Sequence, residues 1–226
     1  MIPLFMWTPA ASAADGQGEP MAEYDKYIWD YFVSKLGNEY GTAALMGNLY
    51  AESGLSPNNL QNTYETSLGY TDASYTAAVD SGAYSKDSFI YDEAGYGLAQ
   101  WTFWSRKQNM YEYWKSGGYT SIGSIELACD FLYHELQNSY PGVLSVLKSA
   151  TSIREASDKV LHDFENPADQ SESVEILRAS YGGTYYATYT GTIPDVPDPE
   201  PGPSPSYKKK KGYKFFLFNR QRRWRV

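Results

Sequence analysis

The chain has 226 residues, 42% of them hydrophobic, which suffices for one domain of moderate size with an ordinary core. Its formal charge is −8, and nine of its 19 lysines and arginines lie in residues 208–226, so the first 207 residues carry all 27 acids and are a poor partner for nucleic acid. One cysteine, Cys129, and two histidines exclude an internal disulfide and the usual zinc clusters. Apolar runs of four residues at most exclude a spanning helix, which needs about 20.

Residues 1–21 are rich in Ala, Gly and Pro and read as an irregular N-terminal segment. Met1 to Trp7 followed by Ala10 to Ala14 imitates a signal peptide only faintly, because a basic start and a long apolar run are missing. The body, 22–190, reads as mostly helical. Residues 24–36 place Ile28, Trp29, Phe32 and Leu36 on one stripe, and residues 42–52 do the same with Leu45, Met46 and Leu49 before Ser53-Gly54. Segment 53–70 reads as a loop. Residues 87–101 look extended, with Phe89 to Tyr91 and Tyr96 to Trp101 as arms of a small hairpin around Asp92 to Gly95. Further helices are expected at 103–116, 124–137 and 141–149, then from a Ser152–Glu155 capping box through Phe164, and last over 171–181, stopped by Gly182-Gly183. Residues 191–206 are a proline-rich spacer, and 207–226 form a basic tail with interleaved aromatics. The expected fold class is mainly α (α+β): a helical bundle with a small hairpin-containing lobe and a cleft between them.

Glu52 is the acid whose position carries chemistry. At 100° per residue it falls on the same face as Leu45 and Leu49, so its carboxyl is shielded from water and can hold a proton near neutral pH. A shielded acid of this kind serves the cleavage of a glycosidic bond. Periodicity equally allows a helix-end glutamate turned to solvent.

The residues around it settle that choice by resemblance. Gly47 to Leu55 with Pro57 to Asn62, Gly95 to Thr102, Trp104 to Gln108, and Phe164 to Ser171 resemble, in order, four blocks of the phage tail lysozyme family. The first two blocks are also similar to goose-type lysozymes and soluble lytic transglycosylases. The resemblance implies a lysozyme-like fold, a peptidoglycan substrate and no cofactor or metal. It makes Glu52 the general acid. Ser53 orients that carboxyl or the helix end, and Gln100 offers its amide to sugar or water. Asp92, shortly before the Gly-Leu-x-Gln block, is a candidate general base, against the alternative of a turn-capping Asp. Glu93 competes weakly with it. Asn59, Asn62, Tyr96 and Trp101 are candidate sugar contacts, with Trp104 nearby; loop capping and core packing are the alternatives. Glu165 reads as a helix-end or structural acid.

The function so implied is that of a muramidase cutting the β-1,4 bond between N-acetylmuramic acid and N-acetylglucosamine, in a virion tail or at the cell wall. Phage tail proteins are expected partners, and anionic wall polymers are expected to meet the basic tail. Two alternatives accompany it: a lytic transglycosylase giving 1,6-anhydromuramic products, and a non-catalytic glycan-binding tail domain.

Overall fold

A computed structural model describes residues 22–196; the segment 1–21, the end of the proline spacer and the tail 207–226 lie outside the described residues. The described chain is built from α1 (Ala22–Leu36), α2 (Glu39–Ser53), α3 (Asn62–Leu68), α4 (Asp72–Ser81), α5 (Lys86–Tyr91), α6 (Trp104–Gly117), α7 (Ile125–Asn138), α8 (Pro141–Ser149), α9 (Ile153–Val160), a π-helical turn (Leu161–Glu165) and α10 (Glu172–Thr190). No helix among the described residues is long and apolar enough to cross a membrane.

The hub is α2, which is buried from Gly41 to Leu49 and is packed by α1, α8, α9 and α10. Asn38 starts it by accepting the Gly41 N–H at 2.9 Å, and Gly54 ends it in the left-handed conformation. Its tightest neighbour is α10, and the approach depends on glycine. A Cβ on Gly182 would stand 2.7 Å from the Ala43 carbonyl oxygen, and one on Gly47 would stand 2.5 Å from the Gly182 nitrogen. This corrects the expectation that Gly182-Gly183 ends the last helix. The pair lies inside α10, where the missing side chains let two backbones meet.

The region 53–101 departs most from expectation. Three short helices form here: α3 in the stretch read as a loop, α4 in a stretch given no reading, and α5 over Phe89 to Tyr91, which were expected to be extended. Among the described residues no strand forms. Isolated bridges pair Leu60 with Tyr96 and Tyr96 with Trp101, so a small hairpin lobe is replaced by one tight turn, 96–101, laid against residues 59–61. The reason is that α4 and α5 supply the packing that longer strands would otherwise provide: Tyr75, Val79, Phe89 and Ile90 are buried in one core cluster with Tyr96 and Leu98.

Candidate active site

Glu52 lies one residue before the end of α2, with its side chain 20% exposed. Its Oε1 accepts a hydrogen bond from Arg178 Nη2 on α10 at 2.5 Å. Arg178 is itself held on the hub helix, donating from Nη1 to Asn48 Oδ1 at 3.3 Å, while Asn48 donates to Ser157 Oγ on α9 at 2.9 Å. The glycine contact between α2 and α10 thus brings a buried cation to the only acid in the last turn of α2.

Beside this pair the π-turn delivers Glu165. Burial first, and the Glu52 carboxylate second, push its carboxyl well above the usual carboxylate range, while Arg106 and Arg178 pull the other way. Its Oε1 is buried without a hydrogen-bond partner. Arg106 forms a fork with Glu135, Nε to Oε1 at 2.7 Å and Nη2 to Oε2 at 2.8 Å, and its guanidinium lies 4.8 Å from the Phe164 ring centre. Trp101 Nε1 completes Glu135 at 2.9 Å. Five charged groups from α2, α6, α7, the π-turn and α10 therefore alternate in one wall. Among the described residues, three of the four non-glycine residues with positive φ adjoin or carry candidate site groups: Leu55 at 63°, Gln100 at 45° and Asn166 at 45°.

Asp92, expected either as a candidate general base or as a turn-capping residue, is enclosed and makes the capping contact, accepting the Ala94 N–H two residues on. Its side chain is 3% exposed and its oxygens receive Lys107 Nζ, Tyr75 OH at 2.5 Å, Tyr84 OH at 3.3 Å and the Ala94 N–H at 3.0 Å. Burial lowers the Lys107 ammonium below its ordinary range although Asp92 opposes this, and burial and Asp92 together keep the Tyr75 phenol protonated as a donor. The carboxylate is a completed core ion pair with no lone pair facing water. Glu93, by contrast, is exposed and in the left-handed region at φ 62°.

The remaining predicted contacts divide. Ser53 Oγ is within hydrogen-bond distance of the carbonyls of Leu49 at 3.1 Å and Leu98 at 2.8 Å, which ties the end of α2 to the 96–101 turn. Gln100 Nε2 faces Asn59 Oδ1 at 2.9 Å and the carbonyls of Asn59 and Gly97 at 3.1 and 3.2 Å, so Asn59 holds Gln100 in place. Asn62 is exposed at the start of α3. Tyr96 and Trp101 have no exposed surface; their polar tips meet Thr76 Oγ1 at 2.7 Å and Glu135, so both belong to the core and present no face to a sugar. The most open aromatics among the described residues are Tyr91, Phe103 and Trp104, at 62%, 61% and 46% exposure. Trp104 stacks on Tyr91 at 6.3 Å and touches Phe103 at 5.8 Å, immediately beyond the turn that carries Gln100. A separate groove between α6 and α7, lined by Asn109, Tyr113, His134 and Asn138, shares Glu135 with the charged wall.

Arg178, Glu165, Arg106 and Glu135 were not read as site residues from sequence. The available signals were the Phe164 to Ser171 block, which holds Glu165, and the spacing of Arg178 four residues before Gly182 on one helix face.

Compared with known families, residues 23–189 match the model of one described as phage tail lysozyme. Searches of curated proteins and of solved structures returned no match.

Proposed function

The chain belongs to the phage tail lysozyme family, a membership that carries a lysozyme-like, cell-wall lytic function with peptidoglycan as substrate, and from it we propose that this domain cuts the β-1,4 bond between N-acetylmuramic acid and N-acetylglucosamine as part of a virion tail. The single observation that supports this reading best is the partly exposed Glu52 at the end of a buried hub helix, near a second carboxyl whose Oε1 is buried and unpartnered. Glu52 donates a proton to the glycosidic oxygen as positive charge develops on the sugar ring. Gln100, fixed by Asn59, steers the attacking water, and Ser53 holds the Gln100 turn against the helix end.

The glycan lies across the Tyr91, Phe103 and Trp104 surface, whose open ring faces suit pyranose stacking. Wall adhesion through the basic residues 207–226 belongs to the same proposal; deletion of that segment is expected to reduce sedimentation with purified cell walls, and unchanged sedimentation contradicts it.

A specific observation favours a second reading. Asp92 is closed inside the core, and a lytic transglycosylase needs only one acid, with the muramic 6-hydroxyl replacing water. Mass spectrometry of digested walls separates the two: reducing muropeptides support hydrolysis, and anhydromuropeptides as the main product support the transglycosylase. Products from neither class in a folded, wall-binding protein leave a non-catalytic tail domain.

A further inference from the structure

An arginine beside a carboxylate ordinarily bonds it as a fork, two parallel N–H groups on two oxygens. Arg178 gives Glu52 only one arm, Nη2 to Oε1 at 2.5 Å, and its other arm, Nη1, goes to Asn48 Oδ1 at 3.3 Å. Among the described residues no donor reaches Glu52 Oε2, and this oxygen is not one of the buried unpartnered ones, which belong to Asp25 and Glu165. One oxygen of the acid is therefore anchored, and the other is bare and open to solvent.

Asn48 can face only one way. It has no exposed surface, and its Nδ2 lies within hydrogen-bond distance of the Ala44 carbonyl at 3.0 Å and of the Oγ and carbonyl of Ser157 at 2.9 and 3.3 Å. A reversed amide would set its oxygen against two carbonyls and its N–H groups against a guanidinium, so Oδ1 is fixed toward Arg178. Arg178 cannot withdraw. A Cβ on Gly47 would stand 2.3 Å from its carbonyl oxygen, so α10 presses that residue's backbone onto α2 directly beside Asn48.

We propose that Asn48 is a positioning residue for Glu52: by claiming Nη1 of Arg178 it prevents the fork, and so leaves Glu52 Oε2 as the oxygen that carries and releases the proton. This rests on the reading of Glu52 as the acid. A forked guanidinium would occupy both oxygens and hold the group ionised. A single bond to Oε1 suits both states. In the neutral acid Oε1 is the carbonyl oxygen and accepts from Nη2 while Oε2 bears the hydrogen. When the Oε2–H bond breaks and the proton passes to the glycosidic oxygen, the same Nη2 supports the new anion, and the attacking hydroxyl or water returns a proton to Oε2. The charged groups that face Glu52 are Arg178 from α10, in contact, and Glu165 from the π-turn, which feels its charge. On the other elements packed against α2, Arg154 and Asp158 of α9 bond each other, Lys26 and Asp30 of α1 do the same, and Lys148 of α8 lies over the Tyr133 ring.

The test is the pH profile of wall cleavage. The acid's proton is lost as pH rises, which sets the alkaline limb. Asn48→Leu removes the acceptor and frees Nη1 to complete the fork, which favours the charged form of Glu52. This limb is therefore expected to move about one pH unit or more downward, with kcat at neutral pH falling about tenfold per unit, KM unchanged and activity recovered in acid. Adding Arg178→Lys is expected to return the limb most of the way, because an ammonium is a single point of charge and cannot fork. A profile of Asn48→Leu that superimposes on wild type, or one lowered equally at every pH and not improved by Arg178→Lys, overturns the proposal. Should Asn48→Leu not fold, a crystal structure of the wild-type protein decides: Nη1 on Asn48 with Nη2 alone on Glu52 supports it, and a fork on both Glu52 oxygens overturns it. Full activity in Glu52→Gln sinks the assignment of the acid itself, whereas an inert Glu52→Gln beside an unaltered Asn48→Leu sinks only the role of Asn48.

Discussion

Two carboxylates of this chain, Glu52 and Asp92, each bond a basic side chain, yet the regions around them finish differently. In the 72–107 region, Asp92 takes donors from Lys107, two tyrosines and a backbone N–H, and nothing of the group faces outward. At the junction of α2, α10 and the π-turn, Glu52 has a guanidinium on one oxygen, partial exposure and a carboxyl neighbour that lacks partners. A carboxylate that its fold has completed holds structure. One left with spare bonding capacity at a partly wet edge is available for chemistry.

The largest effect on stability is expected in the completed region. Asp92→Asn removes the charge from a buried pair and strands Lys107, which costs about 3–5 kcal/mol and lowers the unfolding midpoint in urea. Adding Lys107→Met is expected to recover much of this loss, since no charge then remains buried. An unchanged midpoint in the single variant breaks the contrast, because Asp92 is then not structural.

Gly182→Ala sharpens the contrast from the other side. Its new methyl forces α10 from α2 at a cost of about 1–3 kcal/mol, and because Arg178 and Glu52 ride on that contact, wall cleavage falls with stability. Smaller again is the aromatic surface. Phe103→Ala or Trp104→Ala is expected to raise KM for wall glycan about two- to tenfold, leaving the unfolding midpoint in place, because each ring adds about 0.5–1.5 kcal/mol of stacking. A fall in stability with unchanged KM reverses that assignment.

The smallest effect tests whether an orphan oxygen alone marks a site. Asp25 Oδ1 is buried and unpartnered like Glu165, and burial pushes its carboxyl up to about 6. It faces Tyr185 and Tyr189 and has no guanidinium wall. A folded-state value above the unfolded one means that Asp25 costs stability as pH rises from about 4 through 6, so Asp25→Asn is expected to gain about 1 kcal/mol at pH 7 and nothing at pH 4, with cleavage unaltered. Gain at both pH values contradicts the assignment to burial.

Much of the helical frame was legible because periodic apolar stripes mark α1, α2 and α7, and because Pro141 opens α8 and Gly118 closes α6. α3, α4 and α5 were not, since short helices rich in Ser, Thr and Tyr lack a stripe and form through packing. Gly182-Gly183 carries the composition of a stop, and only the partner helix reveals it as a contact surface. Tyr96 and Trp101 sit in the block that points to sugar chemistry, but their neighbours bury them, and the most open rings among the described residues are Tyr91, Phe103 and Trp104. Glu52 was singled out as a candidate by its face and block. Its arginine lies 126 residues away in sequence, beyond the reach of local pattern.

The most direct measurement compares the wall-lysis rates of Glu52→Gln and Asp92→Asn per mole of folded protein, at a temperature where circular dichroism shows both variants intact. The account predicts that Glu52→Gln loses at least about 100-fold while Asp92→Asn stays within a few-fold of wild type. A Glu52→Gln enzyme that still lyses walls at wild-type rate, or an Asp92→Asn enzyme that is folded and inert, contradicts it.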